Sequence, residues 1–164
     1  IQAFDQTEFY LVIVGEAFSK KDFDRKNSWN QSLLKAQNLA QKNKRVIVTG
    51  FVSGQELKAI YQLATSFIMP SFYEGFGLPV LESMASNCPV ITTKEGSLEE
   101  IAADSALFVN PYNIDSIRGG IEKMMSDEKL RQGLIEKGRN QAAGFSWKKT
   151  ARETTEVYKK VLNE

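Results

Sequence analysis

Short apolar runs separated by amphipathic helical stripes constrain this chain most. The runs lie at residues 9–14 (FYLVIV), 45–49, 66–69, 90–92 and 106–109, and helical spacing fills most of the intervals between them. Strands joined through helices pair in parallel, because a parallel crossover needs length that a helix supplies. The expected fold is therefore α/β, a Rossmann-like three-layer sandwich with a parallel sheet and helices on both faces. FYLVIV, continuous in its apolar residues, is expected as a buried strand. A chain of 164 residues reads as a single domain, 1–164, long enough to bury roughly 70% of the surface its unfolded chain exposes.

The helices announce themselves by stripes and caps. Residues 1–4 read as the end of a helix. Trp29, Leu33, Leu34, Ala36 and Leu39 recur at helical spacing, so an amphipathic helix is expected to residue 42. Ser53 and Glu56 form a capping box, S-x-x-E, for the helix that carries Leu57, Ile60, Tyr61 and Ala64. Ser97 and Glu100 repeat that pattern, and Asn113 can cap the helix with Ile114, Ile117, Ile121 and Met124. Further helices are expected at 127–143 and 147–162. The last places Trp147, Ala151, Thr154, Tyr158, Val161 and Leu162 on one stripe.

Between the third and fourth runs stands PSFYEGFGLPVLESMASNCPV, residues 70–90. Pro79 opens a helix there, since its fixed φ suits the first turn and its missing N–H would have found no partner. Gly77 and Leu78 precede it where Ser, Thr, Asp or Asn would normally cap. The N–H groups of Val80 and Leu81 are expected to be free for a ligand at the positive end of the helix dipole, which is an anion site. Gly75 and Gly77 let a ligand approach the backbone closely. Glu74 lies in the loop and Glu82 in the helix, roughly 5 Å beyond Pro79 at 1.5 Å per residue, so both can face one cleft. Ionised carboxylates accept from paired hydroxyls, the donors a sugar offers. Each glutamate also has a plain structural reading, Glu82 as a helix-dipole residue and Glu74 as a solvated loop residue. The helix is expected to stop near Ser86, with Asn87 in the left-handed conformation.

Composition removes several classes of function. Lys and Arg number 21 against 20 Asp and Glu, a net charge of +1 that leaves no electrostatic footprint for nucleic acid. The chain contains no histidine, so a histidine base and a histidine-ligated metal are excluded within it. A single cysteine, Cys88, excludes an internal disulfide and is consistent with a reducing compartment. Asp22-Phe23-Asp24 matches a D-x-D metal signature, but it sits among Lys20, Lys21, Arg25 and Lys26 and reads as a surface loop. No apolar run approaches the roughly 18 residues of a membrane span.

The 70–91 segment, PSFYEGFGLPVLESMASNCPVI, resembles the E-x7-E segment of retaining glycosyltransferases with the GT-B fold, in the large group 1 family that includes bacterial lipopolysaccharide and capsule enzymes. GFVSGQELKAIYQLATSFIMPS before it and GSLEEIAADSALFVNP after it resemble the same family in order and spacing, so the likeness covers most of residues 10–158. Asn87 stands where the family usually has glycine. The resemblance implies one half of a GT-B fold, its C-terminal donor-binding domain, which transfers a hexose from a UDP- or GDP-sugar to a glycan or lipid-linked acceptor with retention of configuration. It implies neither a cofactor nor a metal. Glu74 would be the catalytic residue at the transferred sugar and Glu82 would hold the ribose. Gly75, Phe76, Gly77 and Leu78 would bind diphosphate and sugar through backbone N–H groups, and Gly50, Phe51 and Val52 would line the nucleobase.

Thr92, Thr93 and Ser97 belong to the same sheet edge as Glu74, where ligands of α/β folds bind, and are candidate sugar contacts. The resemblance also places a first strand, with a loop bearing phosphate-binding Arg and Lys, ahead of Ile1. The acceptor domain lies in the missing N-terminal half, and the final helix crosses toward it. The chain alone is therefore expected to bind nucleotide weakly and turn nothing over. A cytoplasmic enzyme is expected, with membrane contact at the inner face only through that other half. The alternative is a non-catalytic nucleotide-binding Rossmann-like module using Gly75-Phe76-Gly77 as a dinucleotide loop. That loop lacks the third glycine and is interrupted by Pro79.

Overall fold

The computed structural model describes residues 1–4, 7–19 and 27–162. The Asp22-Phe23-Asp24 signature and the Trp29 side chain lie outside the described residues. Strands and helices alternate as expected: β1 (Leu11–Val14), α1 (Ser28–Lys42), β2 (Val46–Gly50), α2 (Gly54–Leu63), β3 (Phe67–Met69), α3 (Leu78–Ala85), β4 (Val90–Thr92), α4 (Leu98–Ala102), β5 (Ala106–Phe108), α5 (Ile114–Ser126), α6 (Glu128–Ala143) and α7 (Trp147–Leu162). A single 3-10 turn, Glu16–Phe18, follows β1.

Every strand pair is parallel, yet the described strands form two sheets rather than one. β1 pairs with β2, and β3, β4 and β5 form the other sheet in that order. The split corrects the expectation of a buried first strand. β1 has one strand neighbour, and its side chains alternate between half-buried and exposed, with Val12 42% exposed. Residues 1–4 also differ from expectation. They form a turn closed by the Phe4 N–H on the Ile1 carbonyl at 2.9 Å, and Ala3 is buried against Ile91, Val109 and Ile121 of the other sheet and its helix.

The three-stranded sheet carries the core because successive side chains of a strand point to opposite faces. Val90 packs with Val80, Leu81, Met84, Leu98, Ile101 and Ala106, the face covered by α3 and α4. Its neighbour Ile91 packs with Val109, Ile121, Met124 and Leu134, the face covered by α5. Both residues are fully buried. Met124 is core filler, as its flexible thioether suits an irregular gap. Arg131 donates to the carbonyls of Met124 and Met125 at 2.6 and 2.7 Å, which satisfies the end of α5 from the next helix.

Caps explain where helices begin. Ser53 and Glu56 complete the capping box on α2. The Asn113 side chain accepts from the N–H groups of Asp115 and Ser116, and the Asp127 carboxylate accepts from Leu130. Asn87 takes a φ of 60°, ending the α3 segment in the left-handed conformation. α7 differs from the rest: every one of its residues is exposed, including Trp147, Val157, Tyr158 and Val161. No helix of the described residues is long and apolar enough to cross a membrane.

α5 lies directly on the sheet at Gly120, where an added Cβ would come within 2.5 Å of Val109 Cγ1. Gly120→Ala gains about 1 kcal/mol of helix propensity. It costs about 1–3 kcal/mol in overpacking against the buried, β-branched side chain of Val109. The net expectation is a less stable protein, read as a lower urea midpoint at unchanged slope.

Candidate active site

The carboxyl end of β3 runs through Pro70 into a turn that is built almost entirely from backbone. Gly77, the N-cap of α3, has a φ of 100°, and no side chain caps the helix. Leu78 is the first helical residue and Pro79 the second. One expectation about this end fails. The Val80 N–H is not free, because it closes on the Gly77 carbonyl at 3.0 Å. The bond is a three-residue, 3-10-type closure of the first turn, which the residue pattern does not signal.

Three consecutive residues after β4 shape this turn. Gly96, with a φ of 59°, lies under the Glu74 backbone, and a Cβ there would stand 2.7 Å from the Glu74 carbonyl oxygen. The Ser97 hydroxyl donates to the carbonyls of Glu74 and Phe76 at 3.0 and 2.8 Å, and the Ser97 N–H also reaches the Glu74 carbonyl at 3.3 Å. Leu98, fully buried, packs against Gly77 so closely that a Cβ there would meet its Cδ2 at 2.8 Å. The expected Ser97–Glu100 capping box is therefore absent: α4 has no side-chain cap. Ser97 takes a right-handed helical conformation, φ −78° and ψ −10°, in place of the extended one from which a cap side chain reaches back.

The Glu74 carboxylate is held as well as its backbone. Ser71 Oγ donates to Glu74 Oε1 at 2.8 Å, and Thr93 Oγ1 donates to the Ser71 carbonyl at 2.8 Å. Thr92 Oγ1 donates in the same way to the Met69 carbonyl at 2.9 Å. Thr92 and Thr93 are fully buried, so these hydroxyls tie the exit of β3 to β4 and do not face a ligand as sugar contacts would. Glu74 itself is half-buried, with one carboxylate oxygen engaged by Ser71.

The other candidate residues fall into two groups. Gly75, Phe76 and Leu78 are exposed along the same turn as Glu74, and Phe76 meets Phe145 edge-on at 6.2 Å. Glu82 is exposed on α3. Burial, with the charge of Glu82 and the Cys88 thiol adding to it, pushes the Tyr61 phenol up to about 12. Burial likewise raises the Cys88 thiol, its hydrogen bond with Ser83 opposing. Gly50 is the last residue of β2, and Phe51 and Val52 follow it at the carboxyl end of the other sheet. Gly50 is buried and accepts from the Gly15 N–H at 2.9 Å, whereas Phe51 is 76% exposed. Both groups thus occupy carboxyl ends of parallel strands, the edge at which open α/β sheets bind ligands.

Sequence reasoning missed Ser71, Gly96 and Leu98 as supports of the turn. It also missed the Phe72–Tyr112 pair, whose exposed rings stand 5.0 Å apart beyond β3 and β5. Ser71 reaches Glu74 over three residues, whereas the contacts of Gly96, Leu98 and the Phe72–Tyr112 pair join segments more than twenty residues apart, which nothing local signals. Among the described residues no group of three or more His, Cys, Asp or Glu side chains could hold a metal.

The family model for glycosyl transferases group 1 matches residues 1–141, and the chain belongs to that family. It is 37% identical over 110 residues to the O-antigen chain mannosyltransferase B of Escherichia coli, a match spanning 67% of this chain and 29% of that protein. Among solved structures, sucrose-phosphate synthase from Thermosynechococcus elongatus superposes with a TM-score of 0.82 at 24% identity, over 99% of this chain and 41% of that one. Anabaena HepE, solved in complex with UDP and glucose, superposes at 0.79 and 16% identity, over 96% of this chain and 43% of that one. These neighbours are GT-B glycosyltransferases, and the chain fits the C-terminal half of their architecture. It spans less than half the length of each protein named here.

The Tyr61 phenol supplies a test of the packing beside Glu82. Its ordinary value near 10 in the unfolded chain lies below the folded value of about 12. Both states are protonated below pH 10, and only the unfolded state loses its proton between the two values. Stability should therefore fall by an amount on the order of 2 kcal/mol as pH rises across that window. Denaturant titrations at a series of alkaline pH values should show a shallower loss for Tyr61→Phe than for the wild-type protein.

Proposed function

We propose that this chain is the donor-binding part of a retaining hexosyltransferase, taking the hexose from a UDP- or GDP-sugar to a glycan or lipid-linked acceptor. The observation that carries the proposal is the 74–78 turn: a carboxylate held by a neighbouring hydroxyl, beside a helix start with no side-chain cap. An uncapped helix N-terminus favours a diphosphate through its dipole and backbone donors, which also stabilise that group as it departs. Glu74, with Oε1 engaged by Ser71, keeps its other oxygen for a hydroxyl of the transferred sugar.

Glu82 is the ribose acceptor in this reading, and the 50–52 loop lines the nucleobase. The donor brings the only cofactor-like group, and neither metal nor nucleic acid takes part. The O-antigen relative, a mannosyltransferase, and UDP with glucose in the HepE complex support a nucleotide-activated hexose. A nucleotide-activated mannose is accordingly the first donor to try. The acceptor belongs to a separate N-terminal domain, against which the exposed stripe of α7 packs, and the whole enzyme is cytoplasmic.

Calorimetry of the full-length enzyme with UDP-sugars, GDP-sugars and NAD, each added alone, tests the reading. A UDP- or GDP-sugar should bind, and binding of NAD without either would replace this proposal with a dinucleotide module. Glu82→Ala should weaken the donor by about tenfold, the size of one charge-assisted hydrogen bond. Glu74→Gln should lower turnover at least a hundredfold while donor affinity changes only a few-fold, which a KM-against-kcat comparison separates.

A further inference from the structure

The contacts that shape the 74–77 turn come from one short segment, residues 96–98, and each uses a different kind of interaction. Gly96 fits by absence of a side chain, Leu98 by packing, and Ser97 by hydrogen bonding. Packing sets how near the two segments lie but leaves the turn free to rotate its peptide planes. The Ser97 hydroxyl fixes those planes: its proton is shared by the carbonyls of Glu74 and Phe76 on either side of Gly75, and it is the group that joins the two, since the Ser97 N–H reaches the Glu74 carbonyl at 3.3 Å. In a trans peptide the N–H lies opposite the C=O, so with both carbonyls drawn toward Ser97 the Gly75 and Gly77 N–H groups are turned the other way.

We propose that Ser97 is a positioning residue for donor binding: its hydroxyl, by holding the Glu74 and Phe76 carbonyls, aims the backbone N–H groups of the 75–77 turn and the Glu74 side chain at a nucleotide-diphosphate sugar. The ligand in this statement rests on the donor-binding reading, whereas the rigidity of the turn rests on geometry alone. Ser97 is half-buried and needs no contact with the sugar to act. Its effect falls on the part of the ligand nearest the turn. Gly75 adds weight to the assignment, since it has open space around its Cβ position and is confined by no packing of its own. Without the hydroxyl, that glycine would be the loosest point of the site.

The test uses Ser97→Ala together with the isosteric pair Ser97→Thr and Ser97→Val, which differ in the hydroxyl alone. Nitrogen-15 relaxation should give order parameters near 0.85, typical of rigid backbone, for Gly75, Phe76 and Gly77 in the wild-type and Thr proteins. In the Ala and Val proteins they should fall below about 0.6, with β4 and α5 unchanged. Affinity for the nucleotide-diphosphate sugar should fall about tenfold in the Ala and Val proteins, the loss of roughly one hydrogen bond, and stay near wild type in the Thr protein. Affinity for the free nucleoside should not change. A turn equally rigid in the Ala and Val proteins would overturn the proposal, as would equal weakening of sugar nucleotide and nucleoside. If no protein, wild type included, binds a sugar nucleotide, the donor-binding reading fails, and the order parameters still decide the clamp.

Discussion

The contact between Leu98 and Gly77 is the constraint on which the site depends. A fully buried leucine closes the volume that any side chain at position 77 would need, and the same glycine must adopt a φ of 100° to start α3. Most side chains pay about 1–2 kcal/mol or more for such a backbone, before any clash with Leu98 is counted. The turn therefore has one acceptable sequence at its hinge and one way to lie on α4. Helix α3 inherits its direction from it, and with that direction Val80, Leu81 and Met84 enter the core beneath β4.

That core explains why the sheet edge can carry so much exposed and polar structure. β4 is buried on both faces by Val90 and Ile91, and its last residue spends its hydroxyl on the end of β3. Thr93 extends the same tie one residue further, to Ser71. Buried hydroxyls without partners would each cost roughly 1–3 kcal/mol, so these bonds are the condition for placing threonine there at all. The consequence is functional: the strand exit that bears Glu74 is fixed to the centre of the sheet, not to a loose surface loop. By contrast, among the described strands β1 and β2 pair only with each other, and the 50–52 loop at their end is anchored chiefly through Gly50.

How much of this could be read from residue order depends on the range of each interaction. The helices at 28–42, 114–126 and 147–162 were legible because periodic stripes and the Asn113 cap are local signals. Ser53 and Glu56 were legible for the same reason. Ser97 carries an identical local pattern with Glu100 and yet does something else, because Glu74 and Phe76 offer carbonyls more than twenty residues away. A hydroxyl can donate and still accept at a cap, as Ser53 does, so backbone conformation separates the two: Ser53 is extended, whereas Ser97 lies in the right-handed region at φ −78° and ψ −10°. The buried reading of β1 failed for a related reason: an apolar run states what a strand can bury, while its neighbours decide whether it does. The missing side-chain cap of α3 was visible in sequence, but the left-handed N-cap that occupies the Val80 N–H was not.

On the proposed function, two glutamates flank a site meant for a doubly charged diphosphate, which Coulomb repulsion opposes. At an effective dielectric near 20, like charges 4 Å apart cost about 4 kcal/mol. A helix N-terminus offers the equivalent of about half a positive charge, so it cannot offset two such pairs unaided. The arrangement is consistent only when the carboxylates are turned toward hydroxyls on either side and the backbone alone meets the phosphates. Glu74 satisfies that condition visibly, drawn toward Ser71 by its hydroxyl while Ser97 holds its carbonyl from below. Glu82 satisfies it by position, exposed on α3 where its field falls on the Tyr61 phenol. On this reading Glu74 is tolerable near a diphosphate because neutral hydroxyl groups, whose burial costs less than that of a charge, restrain it, while solvent screens Glu82 on the exposed face of α3.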